Sequence, residues 1–330
     1  MLCAGSAEAR KKVAVVFGGG GAKGAAEVGV LKYIEKSGIP VDYVVGTSIG
    51  SIVGGLYSAG YDSAELDSMF CSQKWISLMT GHSRMHNDSI AKKEKKHRKH
   101  RVYSSKVPIK RLRQNVLEFK HEKQKNFFVN AGILRGDSIT SLLDEMVCAK
   151  IGGGDFTDLK KSFRCMAVDI NRLQEVQLQD GNVAEAMRSS MSIPLVFKAV
   201  KRDSMILVDG GVLNNLPVNV AREIGADVVI AIDLAVNTYE KADSIRGKWD
   251  KTVKVHVNKG PLNMREWKNK RPDIKRYRAN VNDADVYIHP DLHGFGAQDF
   301  KRSKIEKMIR LGEKAGEEAL QKLERLSREL

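Results

Sequence analysis

An α/β fold, with a mostly parallel central sheet and helices on both faces, is what this sequence predicts. Two stretches carry the expectation. Val13 to Phe17 (VAVVF) is a short, largely β-branched run ending in four glycines, and Ala22 to Lys36 then shows helical spacing. Val41 to Val45 (VDYVV) is a second such run, followed by GTSIG and a helical segment from about Ser48 to Ala59. Short apolar runs bounded by turn residues read as strands buried on both sides. A strand–helix–strand–helix order then calls for a parallel sheet covered on both faces.

The remaining elements follow in chain order. In the first helix Ala25, Val28, Leu31 and Ile34 recur at intervals of three, and Ser37-Gly38 is a stop signal. Gly60 ends the second helix. Further strands are expected at Arg164 to Asp169, Met205 to Val208 and Val228 to Asp233, with a helix at Pro217 to Ile224 before the last. Near the C-terminus Ile305, Met308, Ile309, Gly312, Ala315, Ala319, Leu323, Leu326 and Leu330 share one helical stripe. Its mixed charges favour a helix docked on the domain over one lying on a membrane. The expected organisation is a flexible N-terminus over 1–12 and one catalytic domain over 13–330. That domain includes a basic surface excursion at 82–125 and an amphipathic helix at 302–330.

The charge is unevenly distributed. The 330 residues carry 55 Lys plus Arg against 40 Asp plus Glu, a formal net charge of +15. His82 to Lys125 alone has 15 basic and 4 acidic residues, which leaves only +4 for the rest. The run at 92–101 (KKEKKHRKHR) is its centre. Without interleaved aromatic residues it points to an anionic membrane surface or a solvated loop, and nucleic acid is not expected. Cys3, Cys71, Cys148 and Cys165 are far apart with no CxxC pair, so neither zinc nor a disulfide scaffold is expected. No run of 18 or more apolar residues suggests a spanning helix.

Three glycine-centred motifs carry the candidate chemistry. Gly18 to Gly24 (GGGGAKG) lies between a strand and a helix, where converging backbone N–H groups can hold a phosphate or an oxyanion. It fails as a P-loop because Lys23 is followed by glycine. Gly19, Gly21 and Gly24 match a dinucleotide fingerprint, but Asp42 begins the second strand, at the wrong sheet edge for a ribose. Gly46-Thr47-Ser48-Ile49-Gly50 falls between a strand and a helix, the setting of a nucleophile elbow, with a plain helix-capping serine as the bland alternative. Asp209-Gly210-Gly211 leaves a strand end where its carboxylate could approach Ser48, although Asp-Gly is also a common turn.

Together these motifs resemble the patatin-like phospholipases, close to their bacterial members. The resemblance runs from about Val13 to Leu311. It rests on GGGGAKG at 18–24, the segment 29–61 around GTSIG, RSSMSIPLVF at 188–197, the segment 207–234 beginning LVDGG, and GFGAQDF at 294–300. It implies a serine acyl hydrolase acting on lipid esters without metal or organic cofactor. Ser48 would be the nucleophile and Asp209 the general base. Gly19, Gly20 and Gly21 would form the oxyanion hole, with Lys23 beside it and Gly24, Gly46, Gly50, Gly210 and Gly211 supporting the turns. Gly18 stands where many relatives have Ser or Asp, which predicts a looser loop.

The resemblance also suggests export to the periplasm or outer membrane, with a cytoplasmic location as the alternative. The A-x-A pattern at Ala7-Glu8-Ala9 then reads as the tail of a leader. No alternating barrel segments are visible toward Leu330, so the chain is expected to be barrel-free or a fragment. The competing functional readings are a Ser–Asp–His triad using His256, His289 or His293, and a non-catalytic module for anionic surfaces. A Ser–Asp dyad raises one difficulty. A free carboxylate near its ordinary pKa is a weak base for a serine hydroxyl, so Asp209 would have to be desolvated.

Overall fold

The computed structural model describes residues 10–80, 134–194, 196–235 and 272–330. The N-terminal A-x-A pattern, the basic excursion at 82–125 and His256 lie outside the described residues.

Eight strands form one sheet in the order β5-β6-β3-β2-β1-β7-β8, with β4 paired to β3. They are β1 Val13–Phe17, β2 Tyr43–Thr47, β3 Ser162–Asp169, β4 Gln174–Leu178, β5 Val200–Arg202, β6 Met205–Asp209, β7 Val228–Ile232 and β8 Val286–Ile288. The five strands β3-β2-β1-β7-β8 are mutually parallel. The sheet is mostly parallel, as predicted, and its antiparallel pairs gather at the β3 side.

Strand alternation divides the core. Val13, Val15 and Phe17 face the helices α1 (Ala25–Lys36), α2 (Ile49–Ala59) and the C-terminal α9 (Arg302–Arg328). Ala14 and Val16 face α7 (Val218–Glu223) and α8 (Pro272–Asp283). Both faces of β1 are fully buried, which is why VAVVF has no polar alternation. The other α-helices among the described residues are α3 (Ser63–Phe70), α4 (Gln73–Met79), α5 (Asp137–Ile151) and α6 (Val183–Ser190).

The C-terminal helix is docked. Ile305, Met308, Ile309 and Leu323 are buried, each a gain of roughly 1.5–3 kcal/mol over exposure. Small residues let its backbone approach α1. A Cβ at Gly312 would lie 2.7 Å from the Ala26 carbonyl carbon, and one at Gly29 would lie 2.6 Å from the Glu313 nitrogen. A stripe covered in this way is not free to lie in a membrane.

Two expectations need correction. The first helix does not start at Ala22. Gly21 takes φ +61° and opens a 3-10 turn over Gly21–Gly24, and α-helical geometry begins at Ala25. The second concerns the strand that carries Asp209, which does not join the sheet in parallel. β6 instead runs antiparallel to β3, returning from a hairpin with β5 through Asp203-Ser204, where Asp203 has φ +52°. On β3 it pairs with Ala167 to Asp169, so it ends at the level where β2 ends opposite Met166. The carboxylate reaches the predicted edge from the opposite direction.

Candidate active site

Ser48 follows β2 directly and caps α2 at φ +56° and ψ −125°. For a residue with a Cβ this conformation costs on the order of 1–3 kcal/mol, so the surroundings must hold it. Two glycines make the turn sterically possible. A Cβ at Gly46 would lie 2.6 Å from Ser51 Cα, and one at Gly50 would lie 2.6 Å from Gly18 O. Hydrogen bonds then fix the serine backbone. Its N–H donates to Ser190 Oγ (2.8 Å), and that hydroxyl donates to Met166 O (2.5 Å). Its carbonyl accepts from Ser51 N (3.0 Å) and Ser51 Oγ (2.6 Å).

The hydroxyl so presented meets Asp209. Ser48 Oγ–H donates to Asp209 Oδ2 at 2.5 Å, while Asp209 Oδ1 accepts the Gly211 N–H at 2.8 Å. The Asp209 N–H donates to Ser192 O (3.0 Å), fixing the strand end. Ser48 is 4% and Asp209 5% exposed. Burial pushes the Asp209 carboxyl up to about 6, against the opposing pull of the Ser48 and Gly211 hydrogen bonds. The desolvation that the sequence argument required is therefore present.

The glycine loop lies over the same edge. Gly18 N–H donates to Ile232 O (3.1 Å), so the loop is pinned at its root despite lacking a side chain there. Gly19 is clamped twice by Asn215. Its N–H donates to Asn215 O (3.0 Å), and its carbonyl accepts Asn215 Nδ2–H (3.0 Å). Gly19 was expected among the oxyanion donors, and its N–H is already taken. Gly20 and Gly21, at the open start of the 3-10 turn, donate to no acceptor among the described residues. Lys23 Nζ turns onto Leu234 O, and burial lowers its pKa against the field of Asp233. Gly24 packs on Ile49 and Gly210 on Met166.

Below the loop Glu27 is fully buried, and neither of its carboxyl oxygens is hydrogen-bonded. The nearby Gly18 N–H is committed to Ile232 O. Desolvation raises the Glu27 pKa well above its ordinary value.

The described histidines are engaged elsewhere. His289 Nε2 contacts Ala235 O, and His293 Nδ1 pairs with Asp291 at 2.6 Å on the surface. Among the described residues no three His, Cys, Asp or Glu side chains converge as a metal site.

Sequence reasoning missed the supports. Ser190, which holds the Ser48 amide, and Ser192, which holds the Asp209 amide, both lie in RSSMSIPLVF, a segment recognised without any role assigned. Asn215 follows the DGG motif closely in LVDGGVLNNLP. Their chain separation from Ser48 hid their proximity.

The arrangement defines a class, a strained serine bonded to a buried aspartate on a doubly covered α/β sheet. The chain belongs to the patatin-like phospholipase family, whose sequence profile matches residues 15–222. It is 29% identical over 94% of its length to a patatin-like phospholipase domain-containing protein of Caenorhabditis elegans, and covers 21% of that protein. It is 26% identical over 95% of its length to a lysophospholipase of Pyricularia oryzae, covering 19% of it. The chain thus spans about a fifth of these curated relatives. Among solved structures it resembles VipD from Legionella pneumophila with a TM-score of 0.45 at 16% identity, covering 95% of this chain and 67% of that one. The type III effector ExoU gives 0.44 at 14%, covering 96% and 54%.

Proposed function

We propose that this chain is a serine acyl hydrolase of lipid esters, with phospholipids or lysophospholipids as substrates. One observation carries the reading, the 2.5 Å hydrogen bond from Ser48 Oγ to Asp209 Oδ2 at a strained elbow. In the proposed cycle Ser48 Oγ attacks the ester carbonyl carbon as its proton passes to Asp209. The carbonyl oxygen becomes an oxyanion opposite the Gly20 and Gly21 N–H groups. Collapse expels the alcohol, which takes the proton from Asp209, and leaves an acyl-serine. Water then gives its proton to Asp209 and attacks the acyl carbon, and the proton returns to Ser48 as the fatty acid leaves. Family membership supports this reading, as do the names of the relatives.

Two finer points belong to the same proposal. The basic run at 92–101 brings the chain to anionic membranes, a reading that rests on its charge alone. The chemistry needs two side chains and backbone amides, and no histidine. The test is labelling with a fluorophosphonate followed by peptide mapping. The adduct is expected on Ser48 and to vanish in Ser48→Ala. An adduct on any other residue overturns the assignment.

A further inference from the structure

A second feature lies beside the dyad, on the far side of Ser192. A cleft of about 560 Å³ opens between α5, α6 and the start of β5. Arg135, Arg188, Lys198 and Lys201 line it, with Asp137 and Glu185 as its acids. Among the described residues none of the four cations forms an ion pair with a carboxylate, although the two acids share the cleft. The size suits a small ligand.

Arg188 is the unusual member. It is only 4% exposed, yet all its hydrogen bonds go to neutral oxygens. Nη2 donates to Arg135 O and to Lys198 O (2.9 Å), and Nη1 donates to Ser192 Oγ. Its guanidinium lies over the Phe197 ring at 5.2 Å. A buried charge is ordinarily offset by a directly paired opposite charge; here the hydrogen-bonded oxygens supply only dipoles, and Asp137, across the cleft, acts on Arg188 without a direct ion pair. Arg135 and Lys201 are exposed at the rim and Lys198 is half-buried. A rigid, planar guanidinium with mobile ammonium groups around it matches the oxygens of a phosphate.

We propose that this cleft is a binding site for the phosphate of a lipid headgroup, with Arg188 as its fixed floor and Arg135, Lys198 and Lys201 as its rim. The site connects to the dyad through one residue. Arg188 donates to the Ser192 hydroxyl, and the Ser192 carbonyl accepts the Asp209 N–H. An anion drawn onto Arg188 therefore bears on the peptide that holds the base. The lipid identity of the ligand rests on the proposed function, whereas the affinity for phosphate does not.

The experiment uses the full chain carrying Ser48→Ala, so that binding is read without turnover. Inorganic phosphate and glycerol 3-phosphate are titrated by calorimetry, and vesicles of phosphatidylcholine with and without phosphatidic acid by sedimentation. Saturable binding of glycerol 3-phosphate is expected, together with retention on the phosphatidic acid vesicles. Lys198→Ala with Lys201→Ala should weaken both at least tenfold. The same charge removed at Arg310 and Lys314, exposed on α9, should leave them within twofold. Arg188→Ala is a harsher probe that risks the fold, so the rim variants decide.

No saturable phosphate binding overturns the proposal and leaves Arg188 as a clamp on three oxygens. Equal losses in the two double variants, or loss only when 92–101 is neutralised, overturn it as well. Binding of free phosphate with no response to phosphatidic acid removes the lipid headgroup. Hydrolysis of a soluble ester by the unaltered chain is scored separately, so a failure of the acyl hydrolase reading is recognisable by itself.

Discussion

Two aspartates at opposite edges of one sheet have opposite fates. Asp42 precedes β2 at its N-terminal edge and accepts from Arg10 at 2.7 and 2.8 Å, from Val13 N at 2.9 Å and from Lys12 at 3.3 Å. Burial is the largest single influence and pulls its pKa up, but these donors together outweigh it and hold the carboxyl down at about 2. Asp209, near the C-terminal edge, receives one hydroxyl and one amide and, among the described residues, no cation, and burial raises it to about 6. The same side chain is a stabilising anion in one place and a carboxyl held near 6 in the other. The partners, and not the residue type, decide which.

The largest effect should come from deleting the base. Asp209→Asn is expected to lower turnover of a soluble ester by roughly 10²–10⁴-fold, the usual range for a general base. It should also stabilise the fold. A folded pKa above the unfolded one means that this group's stability is full below about pH 4 and is lost as pH rises through about 6. An ionised Asp209 thus costs about 3 kcal/mol at neutral pH, and Asn removes most of that. Thermal denaturation at pH 8 and pH 4 checks the sign. A variant both active and destabilised at pH 8 would break the contrast between the two aspartates.

A second outcome concerns pH and activity. Only the ionised carboxylate accepts the serine proton, so kcat/KM should be flat above about pH 6 and fall about tenfold per unit below it. A stopped pH series on a soluble ester reads this directly. A midpoint near the ordinary carboxyl value would mean that Asp209 is not desolvated during catalysis.

Smaller effects test the supports. Ser190→Ala removes the acceptor of the buried Ser48 N–H, and an unmet buried donor costs about 1–3 kcal/mol. Turnover should fall about tenfold with the fold retained, as read by steady-state kinetics beside circular dichroism. The smallest change is expected for Asp42→Asn. Its lowered pKa gives stability that is present above about pH 4 and lost as pH falls through about 2. After allowance for solvent screening the loss at pH 7 is about 1 kcal/mol, with turnover unchanged. Urea denaturation at pH 7 and pH 2 should show the difference closing at the lower pH.

Much of this was legible before the fold was known. β1, β2 and β7 showed themselves as short β-branched runs, because a strand buried on both faces has no polar face to disguise it. Ser48 was legible because a tight turn needs glycine at 46, where the chain folds back onto Gly50 and Ser51, and at 50, where it passes Phe17 and Gly18. The antiparallel arrival of β6 was not. β5 is a three-residue strand with no apolar pattern, and Asp203-Ser204 is a weak turn signal. Arg188 was seen only as part of a motif, since its burial depends on Phe197 and on the carbonyls of Arg135 and Lys198.

The sequence by itself determined the α/β class, the strand–turn–helix setting of Ser48 and the glycines that permit it. These are local matters of periodicity and steric allowance, and a few neighbouring residues decide them. Only the tertiary structure decided which amides of the glycine loop are spent, how far Asp209 is desolvated, and that its carboxylate meets Ser48. Those depend on groups more than a hundred residues apart in the chain, and on a dielectric that exists only once the sheet is covered.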